Sequence, residues 1–479
     1  MAQLAPVWSA QYLPTGDGPS HLYGAWLLRE LTLHRNAGVI ASYYHIAWQP
    51  VPNFASYAFI AAALSVLTPL AAEKLFFSLV VITFLAGAWM FAGADDPGNV
   101  VYAFLALPLT FNQLLQAGFY NFSLSAGLYL ITVAFFWRHR HDSRWQIVTV
   151  TALLLLLCYF GHAMAAILGV FSISILWLCS VRRSRHLLAF LPTIALLIWF
   201  FGRERTAQTV WPSRGQLVGY LTRTELLYTF DPRQIVFGRV FFVLVIALLI
   251  ATFCVENLPL KIRARDGFLL IVLALIALYF LSPADTAGGA VINQRLALFV
   301  IVSPMPWFSR RFGRLLAVPL VVIFSLIAIV NAGFQLRHFR QSSRNTARFL
   351  TAAHEIAPNS VVLPLLFTRS MPDAYIGYHV HAIEYIAIEK HLVDLGFYQP
   401  GTDYFPIRYN TAVRRPDILE IEGHPDRVHL SDYPSANYVF TYVMPSDSPV
   451  RAELKNHFER IAAANGGELY RRKVTASPP

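Results

Sequence analysis

The chain has 479 residues, of which 56% are hydrophobic and 14% are charged, and its mean hydropathy is +0.49. Its apolar residues gather in runs of about 15 to 22, a length that crosses a hydrocarbon core as a helix. The net charge of +11 comes from short basic clusters between these runs, which is how membrane proteins encode topology. The composition predicts an α-helical polytopic membrane protein and argues against nucleic acid as a partner.

The first element is a polar turn followed by a helix. The turn contains Asp17, Gly18 and Pro19, and apolar residues then recur at helical spacing through Leu22 and Trp26. One interpretation is that Asp17 or Gly18 caps the helix and Pro19 occupies its first turn. The other is that the Asp17 carboxylate accepts a proton from a hydroxyl nucleophile.

An apolar piece, Phe54–Leu70, comes next. Prolines precede it, and Pro69 ends it. If it crossed the membrane, every later loop would change sides. We therefore predict a helix that lies in the membrane interface.

Ten further apolar segments have lengths typical of transmembrane helices, with boundaries uncertain by several residues. They are Leu75–Phe91, Val100–Leu115, Phe122–Trp137, Trp145–Phe160, Ala163–Leu178, Leu187–Phe201, Val236–Cys254, Phe268–Leu281, Leu296–Phe308 and Leu315–Phe334. Basic connections separate several of them: Arg138–Arg144, Arg182–Arg185, Lys261–Arg265 and Arg310–Arg314. With all of these in the cytoplasm, the positive-inside rule is satisfied without adding or removing a span.

This alternation places the residues before Leu75, the loops 202–233 and 282–294, and everything after Phe334 on the outer face. A preceding helix ordinarily carries such a first loop across, and residues 1–10 are too short and polar to be one. We expect either a further helix before them or translocation without one.

The last 140 residues or so have a different pattern. An amphipathic helix is predicted around Thr346–Ile356, and strands over Val361–Phe367, Tyr438–Met444 and Glu468–Lys473, with a helix over Val450–Asn465. This alternation predicts a small extracytoplasmic α/β domain. The predicted domains are 1–73 (first outer loop with interfacial helices), 74–336 (transmembrane) and 337–479 (α/β).

Several stretches carry a resemblance to a known family. They are "DGPSHL", "YYHIAWQPVPNF", "FNQLLQAGFYNFSLSAGLYL" and the short outer loop "SPADTAGGAVINQR" that ends in arginine. Together with the α/β domain, they resemble the GT-C superfamily of membrane glycosyltransferases. The resemblance implies a transferase of the bacterial inner membrane. It would take a sugar from a polyprenyl-phosphate carrier on the outer face and pass it, with inversion, to a glycan, lipid or protein acceptor, with Asp17 as the base or the acceptor-orienting group.

Arginine suits the departing lipid phosphate in such a reaction. The phosphate gains negative charge as the sugar leaves, and the planar guanidinium can hold two of its oxygens. Arg295 follows the outer loop 282–294 directly and begins an apolar span, where a headgroup would lie. The alternative is a snorkelling interfacial arginine. Arg214 and Arg223 in the loop 202–233 are further candidates, in a set of arginines that we expect to be mostly solvated.

Other candidate substrate-binding residues lie near the first loop. His21 follows Asp17 by four residues, so the two share a helix face, and it either binds the acceptor or caps the helix. Tyr44 and His45 lie in an aromatic stretch whose rings suit a sugar. The same composition is typical of a membrane-interface belt, which we favour.

The sequence also bears on cofactors and on competing functions. "HVHAIE", residues 379–384, resembles a set of metal ligands, but no second cluster completes a site, so no metal is predicted and dependence on a divalent cation stays open. The sequence contains no glycine-rich loop of the kind that binds phosphate groups, so a nucleotide-sugar donor is not predicted. A flippase or transporter would carry ionisable groups at mid-span, where this chain has almost none. A glycan polymerase or ligase, or an inactive GT-C-like protein, is a further alternative.

Overall fold

The computed structural model describes residues 2–34, 38–180, 183–203, 209–256, 263–286, 289–369, 371 and 374–473. Arg182 and Lys261, which belong to two predicted basic connections, lie outside the described residues. Helices dominate the fold. They are α1 (Ala5–Ser9), α2 (Gly18–Thr32), α3 (Val39–Tyr43), α4 (Ala55–Ala63), α5 (Pro69–Ala92), α6 (Gln113–Gln116), α7 (Tyr120–His139), α8 (Trp145–Gly161), α9 (Ala163–Cys179), α10 (Leu191–Phe201), α11 (Arg214–Thr222), α12 (Gln234–Glu256), α13 (Asp266–Leu281), α14 (Ile292–Val302), α15 (Arg310–Leu315), α16 (Ala317–Phe349), α17 (Ile383–Lys390), α18 (Ile418–Gly423) and α19 (Pro449–His457).

Each apolar segment predicted to cross the membrane coincides with or overlaps a helical element. Among the described residues, five helical runs are long and apolar enough to span a bilayer: α5, α7, the run Ser184–Phe201 that ends in α10, α12 and α16. A bent pair over 97–116 adds a sixth, and the shorter apolar helices α8, α9, α13 and α14 match the remaining segments. The predicted polytopic helical membrane protein is confirmed.

The bent pair shows why the predicted span Val100–Leu115 is not one straight helix. A 3₁₀ helix over Pro97–Ala106 and the helical turns over Pro108–Gln116 meet at 53°. Pro108 has no N–H and cannot continue an i→i−4 ladder. The Asn112 side chain then accepts hydrogen bonds from the backbone N–H groups of the next turn and caps α6.

Helices α5 and α7 approach closely at two glycines. A Cβ at Gly127 would lie 2.7 Å from the backbone N of Phe84, and one at Gly87 would lie 2.5 Å from the Gly127 carbonyl oxygen. Any side chain here would push the helices apart. Small residues at such crossings let helix backbones come into contact, which is a common mode of packing in membranes.

The predicted interfacial helix Phe54–Leu70 is shorter than expected. It forms α4, which ends at Ala63, and Pro69 begins α5 instead of ending the apolar piece. Proline is favoured in the first turn of a helix because its missing N–H is not needed there. The position of α4 in the membrane interface stays a prediction.

The strands form two sheets. They are β1 (Tyr44–Ile46), β2 (Val361–Leu366), β3 (Val393–Asp394), β4 (Ile407–Tyr409), β5 (Tyr438–Tyr442), β6 (Phe458–Ala464) and β7 (Gly467–Arg472). β1 pairs antiparallel with β4, and the larger sheet has the order β3-β2-β5-β7-β6, in which β2 is parallel to both of its neighbours and the remaining pairs are antiparallel. The predicted C-terminal α/β fold is confirmed.

One helix prediction is wrong in its second half. The helix predicted over Val450–Asn465 ends at His457, and β6 follows at once and pairs with β7. Asn465 and Gly466 both have positive φ, 51° and 84°, as two-residue hairpin turns require. Ladder hydrogen bonds and burial of Phe458 outweigh the helix propensity of the alanines that end β6.

The chain divides into two compact units. The first comprises residues 1–6, 52–55 and 77–336, and contains most of the long apolar helices. The second comprises residues 7–51, 56–76 and 337–479. Both ends of the chain therefore build the second unit, which holds Asp17, α2 and both sheets.

Candidate functional site

Asp17 lies at the N-cap position of α2, but its carboxylate makes no capping hydrogen bond. Oδ2 instead accepts a hydrogen bond from the Tyr398 hydroxyl at 3.2 Å. The Asp17 backbone is in the αR region, whereas a capping residue ordinarily has extended dihedrals. The side chain is 27% exposed. Helix capping therefore does not account for this carboxylate, which is held by a tyrosine and partly accessible.

His381 lies at the centre of a cluster of carboxyl groups in the same unit. Its Nε2 is 3.7 Å from Asp17 Oδ1 and 3.8 Å from Glu422 Oε1. Its Nδ1 is 3.6 Å from Glu384 Oε1. Arg369 forms an ion pair with Glu422, so the cluster contains a compensating positive charge. The imidazole thus lies between the partly exposed carboxyl groups of Asp17 and Glu422 and the buried carboxyl group of Glu384.

Two carboxyl groups in or beside this cluster are buried. Burial, followed by the nearby Asp394 charge, raises the pKa of Glu384 well above its usual range. The Ser20 hydroxyl donates to Glu384 Oε1 at 2.8 Å. Burial also raises the pKa of Asp394 to about 7, against the opposing effect of the Gly396 N–H. The charged form of Glu384 is therefore strongly disfavoured.

An open cavity of about 530 Å³ adjoins Tyr398. Its lining includes the Tyr409 ring, Thr402, Arg415 and Asp417. The volume lies within the range of small-molecule sites. Aromatic rings combined with a few hydrogen-bonding groups suit a ligand with hydroxyl groups. Tyr398 contacts both this cavity and Asp17, so the carboxylate lies one side chain away from a space that can hold a ligand.

His21 is a buried residue of the second unit, only 3% exposed. Its Nδ1 lies 3.4 Å from the Ser56 hydroxyl oxygen, and its ring packs against the edges of Phe405 and Tyr57. Burial, with a smaller effect of His381, lowers the pKa of His21 to about 3. It is therefore a neutral interior group, and its predicted contact with substrate stays a prediction.

Tyr44 and His45 lie on β1, where successive side chains point to opposite faces. Tyr44 is buried, and its hydroxyl donates to the Asp394 carbonyl oxygen at 3.1 Å. Its ring centroid lies 5.5 Å from that of Tyr409, which lines the cavity. His45 is exposed and lies 3.0 Å from Asn410 Oδ1. Tyr44 is thus an interior residue and not part of a membrane-interface belt.

Arg295 belongs to the other unit and lies on α14 with 9% of its surface exposed. Its Nη1 is 2.8 Å from His162 Nε2. The guanidinium carbon lies 4.6 Å from the ring centroid of Phe119 and 5.3 Å from that of Phe122. Arg295 is therefore packed inside the unit, in contrast to the extended position of a snorkelling arginine.

His162, the neighbour of Arg295, occupies the N-cap position of α9, with Nδ1 3.2 Å from the backbone N of Met164. Its Nε2 lies 2.8 Å from Arg295 Nη1, and because arginine can only donate, the guanidinium donates to the imidazole. His162 therefore holds the Arg295 side chain in place.

The segment that carries Phe119 and Phe122 contains further donors. In the described part of the chain, buried side-chain atoms here have no hydrogen-bond partner: Gln113 Nε2, Gln116 Nε2 and Ser123 Oγ. A buried donor without a partner costs about 1–3 kcal/mol. The segment therefore has donor capacity that a ligand rich in oxygen can use.

Arg214 and Arg223 have different surroundings. Arg214 is the exposed first residue of α11. Arg223 donates from Nε to Glu225 Oε1 at 2.7 Å, so its charge is engaged within the protein. A role for either residue in substrate binding stays a prediction. Asp17 and Arg295 lie in different units.

Within the described ranges, no group of three or more His, Cys, Asp or Glu side chains is arranged to hold a metal ion. The two histidines of "HVHAIE" have separate surroundings. His381 faces the carboxyl cluster, whereas the His379 ring stacks on Phe349 at a centroid distance of 4.4 Å.

These elements form a fold that is similar to a solved structure, the crystal structure of ArnT from Cupriavidus metallidurans in the apo state. The TM-score is 0.54 at 12% sequence identity, and the match covers 98% of this chain and 95% of that chain. The chain has the GT-C fold. The resemblance seen in the sequence is thereby confirmed at the level of fold.

A second structure, the single-particle cryo-EM structure of the arabinofuranosyltransferase AftD from Mycobacteria, matches with a TM-score of 0.45 at 14% identity. It covers 99% of this chain and 39% of that chain. No protein-family model matches the sequence, and no curated protein does. The assignment of the fold thus rests on the similarity to the ArnT structure.

Within the GT-C fold, several site residues were missed by the sequence analysis. Tyr398 binds Asp17 from 381 residues away, and no local pattern in "GFYQPG" indicates this. From the sequence, His381 and Glu384 were considered only as possible metal ligands, in the stretch "HVHAIE". Asp394 and Glu422 lie in ordinary strand and helix sequence, so only the fold brings them to the site.

Proposed function

We propose that the protein is a membrane glycosyltransferase that moves a sugar from a polyprenyl-phosphate carrier to an acceptor hydroxyl on the outer face of a bacterial inner membrane. The GT-C fold supports the class of protein, although a fold alone does not specify an activity. One observation carries the proposal: the Asp17 carboxylate is not used to cap its helix but is bound by Tyr398, which also lines a cavity of about 530 Å³.

In this proposal Asp17 is the base. The Tyr398 hydroxyl holds Oδ2, so Oδ1 receives the proton of the acceptor hydroxyl. The acceptor oxygen attacks the anomeric carbon from the side opposite the phosphate, and the bond from that carbon to the phosphate oxygen breaks with its electron pair on the oxygen. Attack from the opposite side inverts the anomeric centre. The products are the glycosylated acceptor, polyprenyl phosphate and a protonated Asp17, which releases its proton to solvent.

The buried carboxyl groups support the ionised form of this base. A second negative charge close to Asp17 would favour its protonation. In Glu384 this effect is reduced, because burial raises the pKa of its carboxyl group and disfavours the charged form. His381 lies between the two carboxyl groups, with Nε2 3.7 Å from Asp17 Oδ1 and Nδ1 3.6 Å from Glu384 Oε1. We infer that His381 and Glu384 are positioning residues for Asp17.

Arg295 is the proposed ligand of the carrier phosphate. Its planar guanidinium, held by His162, can bind the phosphate oxygen that leaves with the carrier through more than one N–H group. Negative charge grows on this oxygen as the sugar leaves, so these bonds strengthen in the transition state and lower the barrier. Arg295 belongs to the first compact unit, and its own variants test its role.

The proposal is tested by reconstituting the protein in liposomes with synthetic polyprenyl-phosphate sugars and a panel of hydroxyl acceptors. We expect product with the wild type and a loss of about a hundredfold or more for Asp17→Asn, since general-base catalysis contributes about 10²–10⁴. Asp426→Asn, which changes an exposed carboxylate of the same unit, is the matched control. Equal rates for Asp17→Asn and wild type would contradict the base role. Carrier movement without any sugar transfer would support a flippase instead.

A further inference from the structure

The polar end of α16 carries a row of arginines that the proposed transfer reaction does not use. They are Arg337, Arg340, Arg344 and Arg348. All are exposed, and none forms an ion pair with any residue that the structure describes. We call this set the arginine face.

The spacing places these side chains on one side of the helix. At 3.6 residues per turn the four positions fall within an arc of about 80°, and they extend over about 16 Å of helix axis. The opposite side of the same turns is buried, with Phe339, Ser342, Thr346 and Phe349 each at most 2% exposed. Helix packing therefore fixes the direction of the arginine face, which points into solvent.

Charge repulsion makes this arrangement unfavourable unless an anion is bound. Arginines three or four residues apart on a helix are neighbours, and like charges at these spacings destabilise the helix. Two other exposed arginines of the same unit do have acidic partners: Arg414 pairs with Asp432, and Arg471 pairs with Glu459. The arginine face lacks such partners among the described residues, so its counter-charge is expected to come from outside the chain.

The position of the arginine face in the helix indicates the source of that charge. The preceding part of α16, residues 317–336, is apolar and about as long as a hydrocarbon core is thick. Arg337 follows this apolar part directly, so the face begins where a spanning helix would reach the lipid headgroups. One guanidinium group can bind two oxygens of the same phosphate.

We propose that the arginine face binds the headgroups of anionic phospholipids at the membrane surface from which α16 emerges. Basic residues next to a span attract anionic headgroups, and the proposal does not depend on the proposed transfer activity. Its role would be to anchor the second compact unit through lipids bound along this one side of the helix.

The test uses the full chain in a non-ionic detergent with an equimolar mixture of phosphatidylglycerol and phosphatidylcholine, and counts retained lipids by native mass spectrometry. Each arginine near an anionic surface favours binding by about fivefold. We expect the wild type to retain phosphatidylglycerol in at least about tenfold preference, and Arg340→Gln/Arg344→Gln to lose most of that preference. Because both side chains are exposed, thermal unfolding in detergent without lipid is expected to be unchanged.

The matched control is Arg414→Gln/Arg471→Gln, which removes the same charge from exposed arginines that have acidic partners. This variant is expected to keep the wild-type lipid preference. Equal retention of both lipids by the wild type, or an undiminished preference in Arg340→Gln/Arg344→Gln, would overturn the proposal. Tight binding of inorganic pyrophosphate without any lipid preference would also overturn it and assign the face to a soluble anion.

Discussion

The Tyr398 hydroxyl donates a hydrogen bond to Asp17 Oδ2 over 3.2 Å, although 381 residues separate the two in the chain. Tyr398 also lines the open cavity of the second unit. A single side chain thus fixes one carboxylate oxygen and forms a wall of the space beside it. This arrangement distinguishes Asp17 from a helix-capping aspartate and gives the most direct test of the site.

Tyr398→Phe is expected to reduce the rate of sugar transfer by about tenfold, because a hydrogen bond to a charged group contributes about 1.5–3 kcal/mol and only part of this changes between ground and transition states. Phenylalanine keeps the ring packing, so thermal stability should change little. Initial rates in proteoliposomes measure the effect, and Tyr43→Phe is the control in the same unit. An unchanged rate would show that the tyrosine does not orient the base.

Asp394→Asn is expected to alter the pH dependence of stability. Burial raises the pKa of Asp394 to about 7, so between about pH 4 and 7 the folded protein holds a proton that the unfolded chain has released. Wild-type stability therefore falls as pH rises through this window, by up to about 1.4 kcal/mol per pH unit for this group.

The asparagine variant lacks this loss and can still accept from the Gly396 N–H. The unfolding temperature of the variant minus that of the wild type should increase from pH 4.5 to 7. Above pH 7 this difference should stay constant. Thermal unfolding at four pH values gives the comparison. A constant difference at all pH values would mean that Asp394 is not protonated in the folded protein.

Arg295→Lys is expected to reduce kcat/KM for the carrier-linked sugar, and Arg295→Ala is expected to reduce it further, to about a hundredth of the wild-type value or less. Lysine keeps the charge but not the planar fork that holds two oxygens. Arg233→Ala removes an exposed arginine that is paired with Asp231 in the same unit, and should leave kcat/KM unchanged. If the lysine variant were fully active, a point charge alone would suffice.

Gly24→Ala is expected to lower stability by about 1–3 kcal/mol through overpacking. An added Cβ would overlap the Tyr57 ring, which is fully buried and hydrogen-bonded to Gln399 and so cannot move aside. This exceeds the gain of about 1 kcal/mol from replacing a helical glycine with alanine. Gly423→Ala has no atom within 4 Å of the new Cβ and serves as the control. Equal unfolding temperatures for the two variants would contradict this packing.

The proposed orientation is tested by labelling single cysteines in a chain whose three native cysteines are replaced. Leu419 in the second unit is 85% exposed, and Ser184 lies in an exposed part of a predicted cytoplasmic connection. A cysteine at 419 should react with an impermeant thiol reagent in intact cells, and one at 184 only after lysis. The reverse result would place Asp17 and the proposed reaction on the cytoplasmic side.

The helical part of the fold could be predicted from the sequence, because a membrane-spanning helix is encoded by a local run of apolar residues. Fifteen to twenty consecutive apolar residues predict a helix without knowledge of its neighbours, and the segments found this way coincide with helices such as α7 and α12. The β6–β7 hairpin was missed, since Ala462–Ala464 favour a helix locally and only pairing with β7 reverses that preference. The Asn465–Gly466 turn was the available signal.

The site shows the opposite case. Asp17 was found because a charged turn before an apolar chain is unusual, but its partners were not. His381 and Glu384 come from α17 and the turn before it, and Glu422 comes from α18. No periodicity in a single sequence relates residues several hundred positions apart. The raised pKa of Glu384 likewise depends on complete burial, which follows from tertiary packing.

The pairing of the two chain ends has a consequence for how the protein is made. Ser20 on α2 binds Glu384, 364 residues later, and β1 finds its partner only at Ile407–Tyr409. At about 5–20 residues per second, α2 leaves the ribosome roughly 20 to 70 seconds before the residues that cover it. During that interval the surface of α2 that is buried in the folded protein is accessible to proteases and chaperones. We therefore expect a chaperone to bind this segment until the C-terminal residues have been synthesised. Nascent chains that stop short of β4 should therefore be degraded rather than accumulate.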